Sequence, residues 1–264
     1  MLNSLAAGAL AGSLCGCAGA ICSRMRLSTI AFAIAHAALA GSAISLLLGQ
    51  EPILLGILLA ILTSLILGPI SDRLRMPLDT TSMMLFSIYN ALTFISLVLS
   101  PGPTLASEKV GRILWGSILA VTPSYLIVLL SLAALYLLVL RMFWGRVYSI
   151  LFDSRLAEAE GVNVKLYTYM LMTLAGVIIV FALRITGGFL VFSLLFIPSA
   201  SSLQVSESLK KRIMTASIIG AISSILGILL SFSLNLPVGS CIVIGAAAIF
   251  SILALISAVK RRIW

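Results

Sequence analysis

The stretch Ile213–Val259, IMTASIIGAISSILGILLSFSLNLPVGSCIVIGAAAIFSILALISAV, runs 47 residues without an Asp, Glu, Lys or Arg. A backbone in hydrocarbon must satisfy its own hydrogen bonds, and a charge at mid-depth is costly. About 20 apolar residues cross the ~30 Å core as a helix, so this stretch holds two passes with Leu236-Pro237 in the gap between them. The pattern extends outward. Met1–Ser23, Leu27–Gln50, Thr80–Ser107, Ile113–Leu140, Leu166–Leu183 and Ile185–Ser206 are equally free of charge, and all 25 charged residues fall in the gaps. The chain reads as an all-α, polytopic helical membrane protein.

Nine apolar segments can be marked: 3–22, 28–49, 52–70, 80–100, 122–140, 166–184, 187–205, 213–233 and 239–259. Segment seven is short, opens with Gly187-Gly188 and carries Pro198, so it either spans or re-enters, and eight to ten transmembrane helices bound the count. With 264 residues, 61% hydrophobic and 9% charged, there is no room for a separate soluble domain; 1–264 reads as one transmembrane domain, and 141–165 is the longest piece suited to water. Segment 3–22 lacks the basic start of a signal peptide and reads as a retained first span. No internal repeat is visible, which argues against a carrier built from inverted repeats.

The formal net charge of +9 does not point to nucleic acid, because the basic residues flank spans, where they set orientation and meet anionic headgroups. Arg24, Arg26, Arg73, Arg75, Arg141, Arg146, Arg155, Lys165, Lys210, Lys211, Arg212, Lys260, Arg261 and Arg262 follow the odd-numbered segments. Only Lys109, Arg112 and Arg184 occupy the other loops. This asymmetry places the N-terminus outside and the C-terminus in the cytoplasm.

Several chemistries are excluded. There is no G-x-x-x-x-G-K-[S/T] phosphate loop, no H-E-x-x-H and no G-x-S-x-G. No carboxylate lies inside a segment, whereas proton- or sodium-coupled carriers usually need one. Energy for transport must then come from another chain, and an embedded enzyme would have almost no residues to use. Cys15, Cys17, Cys22 and Cys241 read as small buried thiols, and Met83-Met84 as adaptable core packing.

Two intramembrane polar groups stand out. His36, the only histidine, sits among Ala33, Ala35, Ala37, Ala38, Ala40 and Gly41, small residues that let another helix approach. It is either a ligand or gate residue on a pathway, or a neutral imidazole bonded to a carbonyl on a neighbouring helix. Asn90, beside Tyr89, is either a second lining residue or interhelical glue. Outside, Pro101-Gly102-Pro103 opens a connection to an apolar piece containing Trp115, Gly116 and Ser117, suited to a short surface helix. Inside, Pro198 is expected to break the helix, and Ser199, Ala200, Ser201 and Ser202 to cap a new short one running past Gln204 and Glu207 to Arg212.

These residues resemble the zinc, manganese and iron ABC-importer permeases. Ala35-His36-Ala37-Ala38-Leu39-Ala40-Gly41 is close to that family's S-H-A-x-L-x-G. Trp115-Gly116-Ser117-Ile118-Leu119 resembles its F-G-S-I-L. Phe152-Asp153 with Ala157, Ala159, Gly161 and Val164 matches F-D-x-x-x-A-x-A-x-G-x-x-V. Gly188-Phe189-Leu190 with Leu194-Leu195 and Ile197-Pro198-Ser199-Ala200 resembles G-x-L-L-V-x-x-L-L-x-I-P-A-A, and Leu236-Pro237-Val238-Gly239 stands where L-P-T-G does. The motifs keep their order along nearly the whole chain.

The resemblance implies a type II ABC-importer-like permease in the plasma membrane: a homodimer served by two cytoplasmic ATPases and an external metal-binding protein. No cofactor is held permanently; a divalent metal is carried, and ATP binds the partner chain. It further implies that 198–212 is the coupling helix to the ATPase. On that reading His36 and Asn90 are the candidate lining of the path, and the external segment 112–123, with Trp115, Gly116 and Ser117, is expected to gate the outer mouth or receive the binding protein. One departure stands out. The family places Asp four residues before the histidine, making an i, i+4 metal pair; here that residue is Phe32. A lone imidazole suits zinc better than manganese, which prefers oxygen. A metal chelate or corrinoid is the alternative cargo, and a stand-alone carrier the more distant reading.

Overall fold

The structure is a computed structural model and describes residues 2–25, 27–100, 121–187 and 191–263. Every regular element among them is an α-helix: α1 Leu2–Arg24, α2 Ser28–Leu47, α3 Pro52–Leu74, α4 Leu78–Leu99, α5 Pro123–Met142, α6 Trp144–Phe152, α7 Ser154–Ala159, α8 Val164–Thr186, α9 Val191–Val205, α10 Leu209–Leu234 and α11 Val238–Ile263. Eight of these (all but α6, α7 and α9) are long and apolar enough to cross a bilayer. The protein is a multi-pass membrane protein.

Segment seven, 187–205, is the exception to the marked count of nine. Its described part, α9, has 15 residues, a rise of about 23 Å against a ~30 Å core. The expected break at Pro198 is also corrected: Pro198 lies inside α9, which continues to Val205. The serines that were expected to cap a new helix instead bond backward within this one. Ser201 Oγ donates to the Ile197 carbonyl at 2.7 Å, and Ser202 Oγ to the Ser199 carbonyl at 2.7 Å. Pro198, Ser199, Ser201 and Ser202 are all buried, and a packed setting tolerates proline within an apolar helix. The chain turns only at Ser206–Ser208, where the Ser208 hydroxyl caps α10 by accepting from Lys211 N–H.

The chain divides into two compact units, Arg24–Ser100 with Leu130–Val177, and Met1–Ser23 with Pro101–Leu129 and Ile178–Trp264. The divisions after Leu129 and Val177 fall inside α5 and α8, so no linker marks them. In the first unit α2 is the hub, packed by both α3 and α4. Its small residues make this possible: a Cβ added at Gly41 would press on the backbone of Leu55 and Gly56. In the second unit α9, α10 and α11 pack on one another. There α1 meets α10 through glycine. A Cβ at Gly12 would collide with the Gly220 carbonyl, one at Gly220 with the Gly12 carbonyl, and one at Gly16 with that of Ala216. Ser217 Oγ bonds the Ser13 carbonyl at 3.0 Å along the same seam. Lipid offers no hydrophobic drive between helices, so such close backbone packing does that work.

One turn is used twice. Arg75 and Asn235 end α3 and α10 in the left-handed conformation, with φ of 53° and 52°. In each case a serine four residues earlier closes the loop: Ser71 Oγ donates to the Met76 carbonyl at 2.7 Å, and Ser231 Oγ to the Leu236 carbonyl at 2.6 Å. Met76 N–H and Leu236 N–H return to the same serines' carbonyls at 3.2 and 3.3 Å. Pro77 and Pro237 then prevent the old helix from continuing.

Candidate functional site

Helices α2 and α4 meet along a seam in which residue i of α2 faces residues near i+50 of α4. Thr29 Oγ1 donates to the Asp79 carboxylate in the first turn of α4. Further along, Phe32 meets Phe86 with ring centroids 6.3 Å apart and nearly perpendicular. His36 meets the same Phe86 at 4.3 Å and 68°. Next, Ala37 and Ala40 cover Tyr89, whose hydroxyl lies 2.8 Å from Thr63 Oγ1 on α3.

His36 is 5% exposed, and its Nδ1 lies 3.1 Å from the Phe32 carbonyl. A carbonyl only accepts, so the bond puts the proton on Nδ1, and a neutral ring then carries its lone pair on Nε2. The carbonyl that His36 bonds is on its own helix, not on a neighbouring one as the sequence suggested. Asn90 lies one helical turn past Phe86 on the same side of α4 and is partly exposed. Among the described residues no three His, Cys, Asp or Glu side chains group to hold a metal ion. Sequence reasoning missed Asp79, which sits just outside the charge-free block and supplies an acid at one end of this seam. Met83 and Met84 are 37% and 38% exposed, so they are not core packing within this chain. The four cysteines are buried free thiols.

A second constellation surrounds α6 and α7, and it accounts for Asp153, Ala157, Gly161 and Val164 of the Phe152–Val164 motif; nothing in the structure explains Ala159, which is exposed. Asp153 is the hinge: its carboxylate accepts from Arg155 N–H at 2.8 Å and Leu156 N–H at 3.2 Å, capping α7. Ala157 is small because it is buried against Ile150 and Tyr167. Gly161 takes φ 84° to end α7, where side chains beyond Cα are strained. Val164 starts α8 and packs on the same cluster. Arg146 donates to the Tyr167 hydroxyl and lies 5.7 Å from that ring's centroid, and Lys165 pairs with Asp72 at 2.8 Å. Away from this cluster α6 and α7 display Phe152, 67% exposed, with Leu156 and Tyr148.

The expected coupling residues are only partly at the surface. Pro198, Ser199 and Ser201 are buried, Ala200 and Gln204 half-buried, and Glu207 exposed. Trp115, Gly116 and Ser117 lie outside the described residues.

A family model, the ABC 3 transport family, matches residues 1–258. The chain belongs to the ABC 3 transport family. Among its ABC 3 relatives, the manganese import system permease protein ScaB of Streptococcus parasanguinis is 32% identical over 260 residues, covering 98% of this chain and 91% of that one. The manganese transport system membrane protein MntC of Listeria innocua is 32% identical over 241 residues, covering 91% and 85%. Among solved structures, PsaBC from Streptococcus pneumoniae in complex with Fab superposes with a TM-score of 0.83 at 30% identity, over 96% of this chain and 90% of that one.

Proposed function

We propose that this ABC 3 family member is the translocating subunit of an ATP-driven importer for divalent metal ions, with Mn²⁺ first in line and Zn²⁺ and Fe²⁺ as its companions. The observation that carries this is the end-to-end match, at 32% identity, to a relative named as a manganese import permease. Two copies enclose the path in the plasma membrane. ATP is hydrolysed by separate cytoplasmic subunits, and an external binding protein delivers the ion. The N-terminus lies outside and the C-terminus in the cytoplasm, as the basic loops require. Contacts support that grouping, since Arg24 reaches Leu151 and Phe152, and Lys165 reaches Asp72, joining loops that the charge pattern puts on one side.

The α2–α4 seam is our candidate for the ion's route, with His36 Nε2 and Asn90 as transient ligands and Asp79 at the cytoplasmic end. Phe32 and Phe86 keep the middle apolar, so the ion is held weakly there, as transit demands. For the ATPase, α6–α7 is the better lever than 198–212. A docking surface must be reachable, and Phe152, Leu156 and Tyr148 are, whereas Pro198, Ser199 and Ser201 are buried. Gln204 and Glu207 remain a secondary contact.

The test is reconstitution with the partner ATPase and binding protein in proteoliposomes, offering Mn²⁺, Zn²⁺ and Fe²⁺. ATP-dependent uptake of one or more ions is expected. ATP hydrolysis without uptake of any would overturn the cargo and favour a chelate, which the aromatic Phe32–Phe86 lining would suit. For docking, Phe152→Asp is expected to abolish co-purification with the ATPase, while Glu207→Gln weakens it little. The reverse ranking would return the lever to 198–212.

A further inference from the structure

We propose that Arg24 is a positioning residue for coupling, a clamp that fixes the α6–α7 corner so that movement of the ATPase reaches the permease. The inference rests on the reading of α6–α7 as the docking element. Arg24 is the last residue of α1, far in sequence from the corner it holds. Its Nε donates to the Leu151 carbonyl at 2.8 Å and its Nη2 to the Phe152 carbonyl at 3.1 Å. The last carbonyls of any α-helix lack intrahelical partners and form the negative pole of its dipole. One guanidinium therefore takes two adjacent orphan acceptors at the C-terminus of α6, and its charge matches that pole.

The other side of the corner is held with the opposite sign. Asp153 leaves the helix with extended geometry, φ −154° and ψ 114°, and its carboxylate caps the start of α7. A cation thus closes α6 and an anion opens α7 within one residue. The next residue after the clamp, Met25, packs into the Ile150–Ala157–Tyr167 cluster beneath both helices. Arg24 holds the backbone of the very residue, Phe152, whose ring is presented outward. Without the clamp the ring can still meet a partner, but the corner yields under load.

Lysine cannot replace this arrangement. Its ammonium is a single point on a flexible stem, whereas the planar fork of arginine spans two carbonyls at once. The experiment compares Mn²⁺ taken up per ATP hydrolysed, in the full reconstituted complex, for the native chain, Arg24→Ala, Arg24→Lys and Phe152→Asp. We expect Arg24→Ala to keep ATP hydrolysis and ATPase co-purification while uptake per ATP falls about tenfold or more, tenfold being the low end for losing a single charge-assisted hydrogen bond. Arg24→Lys should fold as the native chain does and fall between the two. Native coupling in Arg24→Lys and Arg24→Ala would overturn the clamp. If Arg24→Ala fails to fold, Arg24→Lys alone decides: native coupling rejects the proposal, intermediate coupling upholds it. Native co-purification and coupling in Phe152→Asp would instead remove the docking reading on which the clamp stands.

Discussion

Phe86 sets its ring against the His36 imidazole with centroids 4.3 Å apart, and turns the same ring toward Phe32. The imidazole therefore meets an aromatic ring on α4, and that ring also meets Phe32. Replacing His36 with Ala should lower Mn²⁺ uptake by about tenfold or more, the cost of a lost ligand at about 1.4 kcal/mol per decade. Isotope uptake at fixed ATPase activity measures it; undiminished uptake would move the route off this seam.

Phe32→Asp restores a carboxylate four residues before His36, on the same helix face. Manganese favours oxygen ligands, so the half-saturating Mn²⁺ concentration is expected to fall, with turnover slowed as the ion is held longer. Uptake measured across Mn²⁺ concentrations separates the two effects. An unchanged half-saturation would show that the native seam does not bind the ion at this level.

How much of this was legible beforehand depends on what the bilayer writes into sequence. Spans were legible because depletion of charge is imposed residue by residue. The placement of His36 inside a packed helix pair followed from its Ala and Gly neighbours. Pro198 misled, because a proline's effect depends on surroundings: buried in α9, with Ser201 and Ser202 bonding nearby carbonyls, it is carried within the helix. Asp79 was missed because it sits just beyond the apolar block, and its partner Thr29 is 50 residues away. The Arg24 clamp was equally invisible. A basic residue after a span reads as a topology signal, and nothing in the sequence says that it reaches position 151.

The Tyr89–Thr63 bond should be asymmetric when each side is removed. Tyr89→Phe leaves Thr63 Oγ1 still bonded to the Leu59 carbonyl at 2.7 Å, so about 0.5–1.5 kcal/mol is expected. Thr63→Val strands a buried phenol and should cost about 1–3 kcal/mol. Thermal unfolding of the purified variants gives the order. Equal costs would mean that the phenol finds another partner.

Glycine positions also separate. Gly220→Ala drives a methyl into the Gly12 carbonyl and should destabilise by about 1–3 kcal/mol through overpacking. Gly145→Ala, on α6 with nothing within 4 Å of the added atom, should stabilise by up to about 1 kcal/mol through helix propensity. A melting temperature unchanged by Gly220→Ala would show that α1 and α10 can part without loss.

The turn shared by Arg75 and Asn235 bears on how the protein is made. In both places a serine hydroxyl, a left-handed residue and a proline close the chain within seven positions, and the turn's own groups satisfy one another. A pair of helices joined this way carries few unmet backbone groups when it leaves the ribosome and the translocon. The α10–α11 pair, which also packs together, can therefore enter the membrane as a preassembled hairpin, while at α3–α4 the same turn fixes only the reversal and leaves both helices to dock on α2.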